Sequence, residues 1–480
     1  MGKLDGLKPA EVFHFFEEIS RIPRGSGNVE AISDYLKDFA ESRGLVCVQD
    51  EVKNIIIIKE ASPGYEQEEP VILQGHMDMV AVKDADCTKD MAKEGLDLRV
   101  DGDWLYAEGT SLGADDGIAV ACALALLDSD SIPHPRLEVV LTVDEETGME
   151  GANAIDLSIC RGRRMLNLDY EEEGVLLTSC AGGARVHGKL AVSVERITGT
   201  RLEVHVEGLK GGHSGSEIDK GRANANVLLG RMMRSIPEEA DARFLSLEGG
   251  SADNAIPSSS RAALVVKKGT ASAVREALEK LAETLQREYA ATDGGISIRI
   301  GEEEDGEWEA FSGKSTEKIT AILYLMPNGI QRMSADIPGL VQTSLNLGIL
   351  GTEGSCVSFD YSIRSSVGSE KTVIVDRVCL LLSVLGAEYT VSGEYPAWEY
   401  RKDSALRDRM VRIYEKMFGS SPKVEAIHAG LECGILSPKL PGLDCVSIGP
   451  DMQDIHTPRE RLSISSTERV WNYILEILKK

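Results

Sequence analysis

One histidine and several carboxylates stand close after apolar, strand-like runs in this chain of 480 residues, and a second histidine lies in a late loop. "VILQGHMDMV" places His76 and Asp78 at the end of one run. Side chains two apart on a strand share a face. A metal-bound histidine commonly donates its other ring N–H to a carboxylate, which fixes its tautomer. A polar turn explains the pair as simply. "GTSLGADDGIAVA" offers Asp115 and Asp116 before a helical run, where an N-cap is the plain account. "VLTVDEETGMEGA" offers Asp144, Glu145 and Glu146. Adjacent carboxylates repel one another unless cations are near, although a solvated turn also tolerates them. "LNLD" ends on Asp169, and "DIHTPRE" carries His456. Singly, each residue has a structural explanation. Jointly, two imidazoles and at least three carboxylates make the donor set of a pair of zinc-like ions sharing one bridging carboxylate.

Such residues converge only if the elements before them are neighbouring parallel strands, whose carboxyl ends hold the sites of open α/β sheets. The first part of the chain has that rhythm. "PAEVFHFFEEIS" and "VEAISDYLKDFAESRG" carry apolar residues at helical spacing. "LVCVQDEVKNIIIIKE" reads as a hairpin, "DGIAVACALALLDS" as a small-residue helix, and "RLEVVLTV" and "RRMLNLD" as strands. Alternating strands and helices give an α/β layered sheet. From about Arg185 the order becomes strand–helix–strand–strand–helix–strand, then a similar order follows, an open-faced α+β sandwich used twice. The first strand of the second copy is not evident. Near Tyr400 the α/β pattern returns. The expected organisation is a catalytic domain over 1–184 and 400–480, with a second domain, 185–399, inserted as a lid.

Composition narrows the partners. The 42% apolar content is that of a soluble globular protein, and 480 residues exceed one core. A formal charge of −26 argues against nucleic acid and against an anionic membrane surface. No apolar run reaches membrane-spanning length, and the start reads as an amphipathic helix rather than a signal peptide. Nine cysteines without a CxxC pair indicate reduced thiols and a cytoplasmic protein. Cys122 and Cys379 lie in apolar helical runs and read as packing residues. His14, His134, His187 and His205 belong to no motif and read as structural or surface groups.

"GHMDMV", "GADDGIAVA", "DEETGMEGA", "LNLD" and "IHTPRE" resemble, in order and spacing, the co-catalytic zinc exopeptidases that include the aminoacylases. The resemblance spans nearly the whole chain. "GTSLGADDGIAVA", "CAGG", "KGGHSG", "NAIP" and "HAGLECG" resemble more closely the subgroup of that family that cleaves Xaa-His dipeptides. It implies two divalent ions, zinc first and cobalt or manganese as alternatives. His76, Asp115 and Asp169 would hold one; Asp115, Glu146 and His456 would hold the other. Asp78 would orient His76, and Glu145 would be the general base. His213 of the inserted lid would reach the substrate carbonyl after closure. Asn254 and Arg364 would hold the substrate's carboxylate. His428 and Glu432 of "HAGLECG" would meet its amino end, although a buried turn accounts for that stretch as well. The family also implies a cis bond between Asp115 and Asp116.

The expected function is hydrolysis of dipeptides, Xaa-His and β-Ala-His among them. A broader dipeptidase, an aminopeptidase or an N-acyl amino acid deacylase on the same scaffold is the alternative, because specificity lies in lid loops. A metal-stabilised scaffolding protein is a further class. It would need the ligands but not a carboxylate at Glu145. The implied partner is a small peptide; a homodimer is compatible with the sequence.

Overall fold

The computed structural model describes residues 2–301 and 303–480. They form two compact units. One holds the chain up to Ser179, Tyr400–Ala426 and Leu431–Lys480; the other holds Cys180–Glu399 and Ile427–Gly430.

The first unit is α/β. Its eight-stranded sheet runs in the order Val46–Gln49, Ile55–Lys59, Leu137–Thr142, Val71–His76, Arg164–Asn167, Asp444–Ser447, Val175–Cys180 and Lys423–Ile427. Leu137–Thr142, Val71–His76, Arg164–Asn167 and Asp444–Ser447 are mutually parallel. Leu137–Thr142 and Val71–His76 are buried at every position. That explains their unbroken apolar runs, since central parallel strands are covered on both faces. His76 pairs in register with Thr142, and Gln74 with Asn167. The ends of these strands are therefore level, and the polar residues after them leave the sheet at one edge.

Helix Ala114–Asp128 is buried at every position from Asp116 to Leu127. Its alternating small residues let it pack against helix Ala10–Ile19 and strand Val71–His76. A helix enclosed all round needs no polar face, which is why the run shows little amphipathic pattern. Its first turn is irregular. Asp115 and Asp116 leave helical dihedrals, and the bond between them is cis. Phe13, Phe16 and Ile19 of the first helix are fully buried, each worth about 1.5–3 kcal/mol by transfer.

The second unit is α+β around a ten-stranded sheet, and its topology resolves the missing strand. Val194–Glu207, helix Ala225–Arg234, Arg243–Gly249, Ser260–Val266, helix Ala271–Glu288 and Ser297–Ile300 make one half. The other half has helix Gly313–Leu325, strands Val341–Glu353 and Cys356–Ser365, helix Gly368–Val384 and Glu388–Tyr395. Its first strand is Gly182–Ala191, which lies ahead of the whole first half in the chain. It pairs with Cys356–Ser365 on one side and Glu388–Tyr395 on the other. The first half is thus inserted after the opening strand of the second.

Among the described residues no two cysteines form a disulfide, and Cys122 and Cys379 are buried. His14 lies near Glu18, His134 bonds to its neighbour's carbonyl, His187 meets Asp360, and His205 meets Glu203. Among the described residues no helix is long and apolar enough to cross a membrane.

Candidate metal and catalytic site

His76 ends its strand with the two ring nitrogens facing different partners. Nδ1 lies 3.2 Å from the Asp78 carbonyl and 3.4 Å from its carboxylate. Nε2 lies 3.2 Å from Asp115 Oδ1 and 3.6 Å from Asp169 Oδ1. His456 Nε2 lies 2.9 Å from Asp115 Oδ2 and 3.0 Å from Glu146 Oε2. Each oxygen of Asp115 therefore meets a different imidazole. Asp169 gathers on the His76 side and Glu146 on the His456 side. His456 reaches its place with φ +61°, a left-handed conformation that non-glycine residues rarely adopt and that collects at functional sites.

The cluster is enclosed on the His76 side, open at the exposed His456, and crowded with carboxylates. Burial pushes Glu145 well above the usual carboxylate range, and Asp169, Glu432 and Glu146 add to this against the pull of His76. Burial also raises Asp169, to about 7. Burial acts to raise Asp115 too, but hydrogen bonds from His456 and His76 outweigh it and hold Asp115 below the usual range. Hydrogen bonds to Asp115 and Glu146 push His456 up to about 10. Glu146 Oε1 and Asp116 Oδ1 are buried with no partner among the described residues. Such acceptors call for a cation. The nitrogen and oxygen donors suit zinc, cobalt or manganese, so the residues fit divalent metal ions. Asp116 is the member that sequence reading left without a role. It lies with His76 and Asp169, and its Oδ2 accepts the His76 backbone N–H at 3.2 Å.

Asp78 is fully buried and does more than face His76. It accepts from Ser26 Oγ at 2.8 Å and from the backbone N–H of Glu145 and Glu146. Glu432, expected at the substrate, has no exposed surface. Its Oε2 accepts from Gln74 Nε2 at 2.5 Å and Thr142 Oγ1 at 2.6 Å. Gln74 Oε1 in turn accepts from Asn167 Nδ2 at 2.7 Å. This buried chain ties three parallel strands two to four residues before Glu145, Glu146, His76 and Asp169.

In the second unit, His213, Arg364 and His428 gather around Gly215. A Cβ on Gly215 would lie 2.7 Å from the His428 carbonyl, 2.9 Å from His213 Cε1 and 3.1 Å from Arg364 Nε. Only glycine allows that approach. His213 Nδ1 accepts from the backbone N–H of Gly215 and Ser216. The proton then sits on Nε2, and the ring presents an N–H donor. Burial and the Arg364 charge lower its pKa, which keeps it neutral at pH 7. Arg364 donates to the Tyr395 hydroxyl at 3.0 Å, and its Nε is buried without a partner among the described residues. Asn254 is exposed, and its carbonyl accepts the Ser214 N–H at 2.8 Å. His428 is buried and bonds through Nε2 to Ser344 Oγ at 2.7 Å.

Residues 72–480, which contain all of these positions except Ser26, match Peptidase family M20/M25/M40. The chain belongs to that family. The cytosol non-specific dipeptidase of Escherichia coli strain K12 is 34% identical over 482 aligned residues, covering 100% of this chain and 99% of that protein. The crystal structure of aminoacylhistidine dipeptidase from Vibrio alginolyticus superposes with a TM-score of 0.94 at 35% identity, covering 99% of this chain and 97% of that one. Aminopeptidase PepT from Bacillus cereus ATCC 10987, at 14% identity and a TM-score of 0.57 over 98% of both chains, shares the fold.

Proposed function

We propose that this M20/M25/M40 family member hydrolyses unblocked dipeptides with two divalent metal ions, and that Xaa-His and β-Ala-His are among its good substrates. The observation that carries the proposal is Asp115 placed between His76 and His456, with Asp169 and Glu146 completing the two sides. His76, Asp115 and Asp169 would hold one ion; Asp115, Glu146 and His456 would hold the other. Bound ions of this kind acidify water and polarise a carbonyl.

The protein's own groups do the rest. Glu145 takes the proton of the attacking water and returns it to the leaving amine. Asp78 fixes the His76 tautomer and the peptide on which Glu145 sits. His213, a neutral Nε2–H donor, is assigned to the charge that develops on the carbonyl oxygen. Arg364, with an unpaired Nε, and Asn254 are assigned to the free α-carboxylate. His428 is assigned to the substrate's amino side, and Glu432 to that side only through the Gln74 and Thr142 frame it holds.

The two named relatives support dipeptides as the class. They differ over breadth, one being named non-specific and the other for aminoacylhistidine, so a broad dipeptidase is the second reading. A cytosolic location follows the name of the Escherichia coli relative. The exposed Val373, Leu380 and Val384 of helix Gly368–Val384 and the exposed strand Glu388–Tyr395 support a homodimer, which light scattering would test. The activity itself is tested with a panel of dipeptides, tripeptides and N-acetyl amino acids, with Zn²⁺, Co²⁺ or Mn²⁺ added. Metal-dependent cleavage confined to dipeptides is expected. Preference for N-acetyl amino acids or tripeptides would overturn the assignment.

A further inference from the structure

Two opposite charges lie buried behind the ligand loops, and neither belongs to the ligand set. Arg24 is 1% exposed and Glu460 is 2% exposed. Arg24 Nη1 donates to the carbonyls of Met77 and Asp78 at 3.0 and 3.2 Å, and Nη2 donates to the carbonyl of Gly113. Glu460 accepts four consecutive backbone N–H groups: Leu112 at 2.8 Å, Gly113 at 2.9 Å, Ala114 at 2.7 Å and Asp115 at 3.3 Å. Gly113 is therefore held from both ends, its N–H by the carboxylate and its C=O by the guanidinium.

The backbone is shaped to admit this pair. Gly113 has φ +63°, and a Cβ there would lie 2.7 Å from Arg24 Nη2. A Cβ on Gly117 would collide with the same atom. The two glycines of "GADDG" thus leave the space the guanidinium occupies. The three segments that are tied carry different ligands. Met77 and Asp78 follow His76, Gly113 precedes Asp115, and Glu460 lies four residues beyond His456.

We propose that Arg24 and Glu460 are positioning residues for the metal centre, a buried charge pair that fixes the His76, Asp115 and His456 loops relative to one another through the Gly113 peptide. The proposal rests on the metal-ligand assignment above. Its physical basis is that neither charge can be removed alone without leaving the other buried beside unmatched peptide dipoles. Groups that hold ligands in place commonly change metal affinity by 10- to 100-fold when altered.

The test measures metal binding rather than turnover. Full-length apo-protein is titrated with Co²⁺, and the visible ligand-field absorption gives both a dissociation constant and a spectrum. Three variants are compared with wild type: Glu460→Gln, Arg24→Lys and Glu138→Gln. Glu138 is the control, a fully buried carboxylate of the same unit that accepts from Arg136 and from the N–H groups of Arg161 and Gly162, away from the ligands. Thermal melting of each apo-variant establishes that it is folded. Glu460→Gln and Arg24→Lys are expected to weaken Co²⁺ binding roughly 10- to 100-fold and to alter the spectrum. Glu138→Gln is expected to lower the melting temperature while leaving affinity and spectrum unchanged. Wild-type affinity and spectrum in either folded variant, or an equal loss in Glu138→Gln, would overturn the positioning role. If wild type binds no Co²⁺, the ligand assignment fails first and this inference with it. Should one variant not fold, the other carries the same comparison.

Discussion

The backbone N–H of Glu145 donates to the Asp78 carboxylate at 3.2 Å. The same carboxylate lies 3.4 Å from His76 Nδ1 and accepts from Ser26 and Glu146. One buried aspartate therefore sets both the imidazole proposed as a ligand and the peptide that carries the proposed base. Asp78→Asn keeps the volume but turns an acceptor into a donor. It should lower kcat roughly 10- to 100-fold and weaken metal binding by a similar factor. Steady-state kinetics and metal analysis on the same sample check this; loss of one without the other would separate the two functions assigned to Asp78.

Glu145 and Glu146 are adjacent, yet only Glu146 meets His456. Glu145→Gln should retain both metals and lose kcat by about 10²- to 10⁴-fold. Glu146→Ala should lose one metal equivalent. Metal counts per chain decide between them, and a metal-depleted Glu145→Gln would reverse the assignment.

Gln74 stands between Glu432 and Asn167 in the buried chain. Gln74→Leu would leave Asn167 Nδ2 without its acceptor and Glu432 with Thr142 as its remaining donor. The expected cost is about 1–3 kcal/mol per unsatisfied group, read by urea unfolding of apo-protein. The same variant should raise KM little, since no substrate contact is assigned to Gln74. A stability equal to wild type would mean that the chain contributes nothing to holding the strand ends.

His428 supplies a pH dependence. Burial, then the charges of Arg364 and His213, depress its pKa from the ordinary 6.5 to about 3. Between those values the unfolded chain binds the extra proton and the folded one does not. Stability is thus full above pH 6.5 and falls as pH drops toward 3, by up to about 1.4 kcal/mol per pH unit. Denaturant unfolding at pH 7 and pH 5 should show this fall in wild type and a smaller one in His428→Gln. Identical slopes for the two proteins would contradict the buried neutral imidazole.

Much of the site was legible because its residues follow apolar strands whose polarity changes abruptly: "VIL" before His76, "VVLTV" before Glu145, "MLNL" before Asp169. The parallel register then made the ends level. What stayed hidden was non-local. Gly182–Ala191 reads as any alternating strand, and only its pairing with Cys356–Ser365 makes it the first strand of the second half. The burial of Arg24 in "RIPRGS" and of Glu460 in "HTPRERL" has no local signature in the sequence. The motif "HAGLECG" points Glu432 at the substrate, whereas its side chain is fully enclosed and bonds to Gln74 and Thr142 of the strands beneath the site.

The most direct test of the account compares β-Ala-His with its C-terminal amide and with a tripeptide ending in histidine, using metal-loaded wild type and Arg364→Ala. Removing the carboxylate charge takes away a charge-assisted pair typically worth about 1.5–3 kcal/mol. Wild type should therefore cleave the amide roughly ten- to a hundred-fold more slowly than the dipeptide, and should spare the tripeptide. Arg364→Ala should lose most of that preference. Equal rates on all three substrates by wild type would contradict the dipeptidase assignment and favour a general aminopeptidase.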